Sequence, residues 1–313
     1  MTVSKLLSSM EDNLLKQGIF ARAGLSPQEL EEVRNLWEAC NSHDHIEIKL
    51  NWSTLSDRPP GVTNDFLFYR DDRVVGFLAI YCFLSTEVEI SGMVHPEARN
   101  QGIFGQLVQT ALETCRRRGV PKAIFINERG SVSGKAFLTK LGADYRFSEY
   151  VMELQEVAEG VSQTGEQLLT LRSANVQDSE LLIQLNMSGF NMSEDDSREY
   201  VNQTITAEKE RTLIAELGHG EQKEPIGKIG AMIGEDASGF IYGFCVMPER
   251  RGQGYGRQIL SQTIVYLKQK HQAGLIKLEV SVENEKALGL YESCGFRTKN
   301  ANDYYVLMLD QAE

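Results

Sequence analysis

The hydrophobic pattern of this chain switches repeatedly between a helical and a strand period. Over Ser26–Ala39 the apolar residues Leu30, Val33, Leu36 and Trp37 fall at helical spacing behind a Ser-Pro start, which predicts a helix. Asp65–Phe83 predicts a hairpin: Phe66 to Tyr69, a polar turn at Asp71-Asp72, then a second apolar run over Val74–Phe83. Val88–Val94 reads as a strand and Phe104–Arg117 as a helix. The second half offers strands over Leu168–Leu171, Thr212–Leu217, Ile226–Ile233 and Phe240–Val246, with helices over Ser179–Met187 and Glu194–Thr206. Strands mixed with helices in this way predict an α/β or α+β layered fold.

The same order is present twice. Val94-His-Pro-Glu-Ala-Arg99-Asn-Gln-Gly102-Ile-Phe104-Gly105 echoes Val246-Met-Pro-Glu-Arg-Arg251-Gly252-Gln253-Gly254-Tyr255-Gly256-Arg257, with Pro96 and Pro248 lying 152 positions apart. Leu141-Gly142-Ala143 echoes Cys294-Gly295-Phe296, and Glu149–Leu154 echoes Tyr304–Leu309, at nearly the same offset. Spacing kept through three segments implies two copies of one domain, and 313 residues suit two domains of ordinary size. The expected domains are 1–155 and 168–313, joined by a polar linker over 156–167 that carries Gly160 and Gly165.

The junction after Phe240–Val246 is the segment richest in chemistry. A strand, a Pro-bearing turn and closely spaced glycines lead into a helix whose first N–H groups are free, an arrangement suited to a pyrophosphate. A P-loop would need a Lys after the glycines, and none follows; the dinucleotide fingerprint would need a glycine where Arg257 stands. Gly130-Ser-Val-Ser-Gly134-Lys135 is one residue short of the P-loop spacing and occupies the place of the repeat's second motif.

Arg251-x-x-Gly254-x-Gly256 resembles the coenzyme A loop of the GCN5-related N-acetyltransferases (GNAT family). The later segment Leu278-Glu279-Val-Ser-Val-Glu-Asn284-Glu-Lys-Ala287-Leu-Gly-Leu-Tyr291-Glu-Ser-Cys-Gly295-Phe296 is similar to that family's following strand and helix. The resemblance implies two tandem domains of this fold, each a mixed, mostly antiparallel sheet flanked by helices. It also implies acetyl-CoA as co-substrate, held by Phe244, Cys245, Val246, Arg251, Gly252, Gln253, Gly254, Tyr255, Gly256, Arg257 and Asn284. Direct attack by an amine on the thioester is implied, with Tyr291 as the acid towards the departing thiolate and Glu279 as the base that frees the amine. A polar strand residue is the alternative reading of Glu279, and a packing tyrosine that of Tyr291.

The two copies differ in chemistry. Leu138 stands at the place of Tyr291, Ser131 at that of Asn284 and Phe104 at that of Gly256, while Arg99-x-x-Gly102 is kept. The first copy is therefore expected to be degenerate, with a candidate second cofactor site at Val94, Arg99, Gly102, Phe104 and Gly105. Glu89, on the strand before the first loop, suits structure or substrate contact better than catalysis, since its half lacks the tyrosine. Glu194, Asp195 and Asp196 could draw a cationic amine or simply begin a helix.

Composition narrows the partners. A net charge of −12 argues against nucleic acid, whose phosphates need clustered Lys and Arg. Five cysteines without a Cys-x-x-Cys pair read as reduced thiols, and no metal-ligand cluster appears. Met1 to Asp12 lacks the pattern of a secretory signal, and no apolar run approaches the roughly 20 residues that span a bilayer. The expectation is a cytoplasmic acetyltransferase, monomer or homodimer, away from membranes and nucleic acid. Its acceptor is a small-molecule or peptide amine, with a protein N-terminus as one alternative. The rival from another class is a noncatalytic acyl-coenzyme A sensor or scaffold.

Overall fold

The computed structural model describes residues 15–84, 86–156, 169–206, 210–220, 222–234 and 237–309. They fall into two compact units: Met1–Arg146 with Asp303–Glu313, and Phe147–Asn302.

The first unit contains β1 (Gly18–Arg22), α1 (Pro27–Asp44), α2 (Trp52–Ser56), β2 (Asp65–Arg70), β3 (Arg73–Tyr81), β4 (Val88–Val94), α3 (Ile103–Arg117), β5 (Lys122–Glu128) and α4 (Val132–Leu141). Strands β1 to β4 pair antiparallel in chain order, and β4 pairs parallel with β5. Ser26 starts α1 through a capping box with Glu29, as its Ser-Pro sequence suggests. Alternate residues of β2 serve opposite faces: Phe66 and Phe68 join the core under α3, while Leu67 and Tyr69 pack with Val33, Leu36 and Cys40 of α1. Both sheet faces are thus covered, which is why these strands read as continuous apolar runs rather than alternating ones.

The second unit contains β7 (Leu169–Ser173), α5 (Ser179–Phe190), α6 (Glu194–Thr204), β8 (Glu210–His219), β9 (Gln222–Ile233), β10 (Gly239–Val246), α7 (Tyr255–His271), β11 (Ile276–Ser281) and α8 (Glu285–Ser293). Strands β7 to β10 pair antiparallel, and β10 pairs parallel with β11. One face packs on α7 through Ile229, Ala231, Ile241 and Leu278; the other meets α5 and α6 through Ile214 and Cys245.

The closing strands depart from the expected halves. Glu149–Glu153 of β6 (Asp144–Leu154) pairs with Lys277–Ser281 and lies in the second unit, whereas Asp303 onward in β12 (Phe296–Met308) lies in the first, beside β5. Each sequence half therefore ends in the other compact unit. The two strands echo each other in sequence, so local pattern fits either edge, and charge pairs accompany the pairing seen. Glu153 meets Lys277 at 3.2 Å and Lys299 at 2.8 Å, and Arg129 meets Asp303 at 2.9 Å. Apart from Glu156, the expected linker 156–167 lies outside the described residues.

Candidate active site

Strands β10 and β11 of the second unit pair only over Gly239–Ile241 and Ile276–Leu278, although β10 runs on to Val246 and β11 to Ser281. Where the ladder stops, facing backbone groups are left for another extended partner. At the same point β10 bulges. Gly243 and Phe244 stand opposite Ile229 alone, between the pairs Tyr242–Gly230 and Cys245–Lys228. Gly243 has φ +53°, a left-handed conformation that glycine adopts at no steric cost.

Beyond Val246 the chain turns through Pro248–Arg250 and enters α7 at Gly254. Gly252 and Gly254 have φ of +75° and +83°, and a Cβ on either would meet nothing within 4 Å, so the backbone there is open to a ligand. Gly254 supplies no side-chain cap, which leaves the first N–H groups of α7 available to an anion. Arg251 Nε donates to the Val246 carbonyl at 2.8 Å and braces the turn. Gln253 Nε2 donates to the Glu249 carbonyl at 3.0 Å.

Helix α8 closes on this first turn. A Cβ on Gly256 would stand 3.3 Å from Leu290 Cδ2 and 3.8 Å from Phe244 Cζ, so glycine is what permits the approach. The next residue, Tyr291, is buried in the core with Tyr255, Leu278 and Val280, its ring 6.2 Å from that of Phe296. Burial pushes its phenol up to about 12, so it keeps its proton throughout the neutral range. Asn284 caps α8, its side-chain oxygen accepting from Ala287 N at 3.1 Å. In β11 the half-buried Lys277, Glu279 and Ser281 alternate with buried Ile276, Leu278 and Val280. Glu279 therefore points to the sheet face opposite Leu278 and Val280, the residues that share the core with Tyr291.

The first unit keeps the frame. Strands β4 and β5 pair over Val88–Ile90 and Ala123–Phe125. Arg99 Nε donates to Val94 O at 3.1 Å, Gly102 has φ +77°, and Asn100 takes the left-handed place of Gly252 at +60°. Ser131 caps α4 through Gly134 N at 3.3 Å, as Asn284 caps α8. A cavity of about 970 Å³ opens here, lined by Val94, Arg99, Gly102, Phe104, Phe137 and Leu138 among others.

Three features of the first unit differ. Register between β3 and β4 is unbroken from Gly76–Val94 to Tyr81–Glu89, so the strand has no bulge. Arg99 is already neutralised by Asp44, through bonds of 2.9 and 2.7 Å, and this contact holds the Asp44 carboxyl below the usual carboxylate range. Finally a phenylalanine has changed sides. Phe104 on α3 replaces Gly256 while Gly92 on β4 replaces Phe244, and a Cβ on Gly92 would lie 3.0 Å from the Phe104 ring and 2.6 Å from Phe77 O.

The acetyltransferase (GNAT) family profile matches residues 28–142 and again 180–296. The chain belongs to the GNAT acetyltransferase family. It is a GNAT-family N-acetyltransferase with two tandem copies of the family fold, and the family uses acetyl-CoA. A GCN5-related N-acetyltransferase from Sphaerobacter thermophilus shares the fold at TM-score 0.73 and 18% identity, over 96% of this chain and 98% of that one. A tandem GNAT protein from the clavulanic acid biosynthesis pathway superposes at TM-score 0.71 and 15% identity, over 94% and 99%. Spermidine N(1)-acetyltransferase of Vibrio cholerae is 30% identical over 138 residues, which is 41% of this chain and 78% of that protein.

Within this GNAT fold the acidic helix start has a structural occupation. Ser193 caps α6 through Asp196 N at 3.1 Å and bonds the Asp196 carboxylate at 2.7 Å, while Glu194 pairs with Arg198. Cys245 is buried beneath α5, where a Cβ on Gly189 would lie 2.6 Å from Cys245 Cβ, and burial pushes its thiol up. No group of metal-ligating side chains occurs among the described residues, and no described helix is long and apolar enough to cross a membrane. Two features of this region are absent from the expectations, the bulge at Gly243 and the burial of Lys228 opposite Cys245. Each leaves a signal: an isolated glycine within a strand run, and a lysine within the apolar run Ile226–Ile233.

Proposed function

We propose that the second unit transfers the acetyl group of acetyl-CoA to an amine and that the first does not react. The observation that carries this reading is that the bulge at Gly243 and the phenol of Tyr291 stand together in the second unit. The first has an unbroken strand and Leu138 in their places.

In this reading the pyrophosphate rests on the N–H groups of 252–257, beside the Arg251 guanidinium, which meets no carboxylate among the described residues. The pantetheine arm lies along Phe244–Val246, where β10 has left β11. Acetyl-CoA supplies the activated carbonyl, which the amine attacks directly as the thiolate departs. Tyr291 donates a hydrogen bond to the sulfur. A phenol near 12 facing a thiol of about 8.5 holds its proton rather than surrendering it fully, so its role is to stabilise charge developing on sulfur. Glu279, on the sheet face covered by α5 and α6, takes the proton of the amine directly or through water. Asn284 serves by starting α8 and so placing Tyr291. Holding thioester and amine together contributes much of the rate.

The acceptor is an amine. The Vibrio relative is named for spermidine, and a polyamine or a protein N-terminus satisfies the same chemistry. The cavity of the first unit supports acyl-coenzyme A binding without transfer there, a noncatalytic role confined to that unit. Tyr291→Phe tests the assignment: acetyl-CoA binding should be unchanged in calorimetry while kcat falls about 100-fold or more. An unchanged kcat would remove Tyr291 from the chemistry.

A further inference from the structure

Lys228 is a buried ammonium without a counter-ion. It lies on β9 with 4% of its surface exposed, and among the described residues no carboxylate pairs with it. Its Nζ faces two aromatic rings, Phe190 at 5.4 Å and Tyr200 at 5.5 Å. The other groups around it are neutral or engaged. Burial keeps the Cys245 thiol protonated at neutral pH, and Glu210 receives the Tyr242 hydroxyl at 2.7 Å. Packing alone does not call for a cation here. The repeat places Phe77 at the equivalent register, opposite Met93 as Lys228 is opposite Cys245, and Phe77 is fully buried in an apolar core. A lysine in such a place carries a desolvation cost that an apolar side chain avoids.

Its position is what gives the charge a use. A Cβ on Gly243 would stand 3.6 Å from Lys228 Nζ and 3.8 Å from the Tyr200 hydroxyl, so the ammonium lies against the bulge where β10 leaves β11. Phe190 is 42% exposed and Tyr200 half-buried, so the aromatic pair over Nζ extends from the buried ammonium to the surface. Glu279 shares this sheet face. A ligand entering here meets an aromatic pair, a phenol hydroxyl and an uncompensated positive charge, next to the strand edge assigned to the thioester.

We propose that Lys228 is the acceptor-specificity residue of the second unit and that the acceptor is a small amine carrying a carboxylate, which this ammonium binds. The proposal rests on the acetyl transfer assigned above to that unit. Lys228 binds the carboxylate, the amine end points to the thioester, and the pocket discriminates against polyamines, whose second positive charge would face Nζ.

The test is acetyl transfer to a panel of free amino acids, each beside its carboxamide and its decarboxylated amine, with spermidine included. Coenzyme A release is followed for wild type, Lys228→Met and Lys228→Arg. In wild type at least one free amino acid should exceed its carboxamide in kcat/KM by about 10- to 100-fold, the worth of one charge-assisted hydrogen bond. Lys228→Met should erase that preference through KM, and Lys228→Arg should restore part of it. In NMR of labelled lysines, the preferred amino acid should raise the titration midpoint of Lys228. A wild type that uses no carboxylate acceptor better than its neutral partner, or that prefers spermidine, overturns the proposal, as does a preference that survives Lys228→Met. Acetyl-CoA binding is measured on the same samples; its absence from wild type would instead refute the acetyl-transfer reading.

Discussion

Replacing Lys228 by Met should make the protein more stable while it damages acceptor recognition. Burial pushes the ammonium from its ordinary 10.5 down to about 8, a displacement worth about 3 kcal/mol at a pH where the lysine is charged in both folded and unfolded chains. Met keeps the apolar stem and fills similar space, so a net gain approaching about 3 kcal/mol is expected at pH 7. The sign with pH follows from the depressed value. Between 8 and 10.5 the unfolded chain holds a proton that the folded chain has released, so this group makes wild-type stability rise with pH across that window. The advantage of Lys228→Met is therefore full below pH 8 and gone above 10.5. Denaturant unfolding at pH 7 and at pH 10.5 reads it, as a midpoint shift at unchanged slope. A variant less stable than wild type by about 2 kcal/mol at pH 7 would mean that Lys228 is held by a structural bond, and would refute the reasoning.

Two further outcomes follow from the differences between the units. Leu138→Tyr, placed in a Tyr291→Phe background, should restore no transfer, because β4 has no bulge beside it; recovery of activity, read as coenzyme A release, would show that the phenol alone separates the copies. Asp44→Asn should lower the stability of the first unit by about 1 kcal/mol at neutral pH, since it removes the partner of Arg99. The Asp44 carboxyl is held below its ordinary value, so its contribution is present above the unfolded pKa and lost as pH falls through the folded one. Wild type and variant should converge in acid melting curves, and a gap that persists there would point to packing instead.

Much of this architecture is legible in the sequence because it is local. The helix at Ser26, the hairpin at Asp71-Asp72, the strand Val88–Val94 and the glycine turn before Tyr255 each carry their cause within a few residues. The repeat is legible too, since Pro96 and Pro248 keep their partners at constant spacing. The exchange of closing strands is not. Glu149–Leu154 and Tyr304–Leu309 have matching patterns, and which edge each joins depends on residues far along the chain, such as Lys277 for Glu153. The bulge leaves Gly243 as a trace, but its position depends on Tyr242 covering Gly230, where a Cβ would lie 2.6 Å from the ring. Lys228 looks like a surface lysine until both faces of β9 are known to be covered. The pairing of Arg99 with Asp44, 55 positions apart, is likewise a product of the fold.

Calorimetric titration of acetyl-CoA into wild type and into Gly254→Glu, with transfer assayed on the same preparations, tests the central claim most directly. Gly254 has φ +83° at the mouth of α7, so glutamate there brings both a strained backbone and a negative charge to the anion site, and circular dichroism checks that the variant is folded. The expected result is binding to wild type, loss of one site in Gly254→Glu, and loss of all transfer with it. Wild type that does not bind acetyl-CoA, or a folded Gly254→Glu that still transfers, would contradict the placement of the chemistry in the second unit.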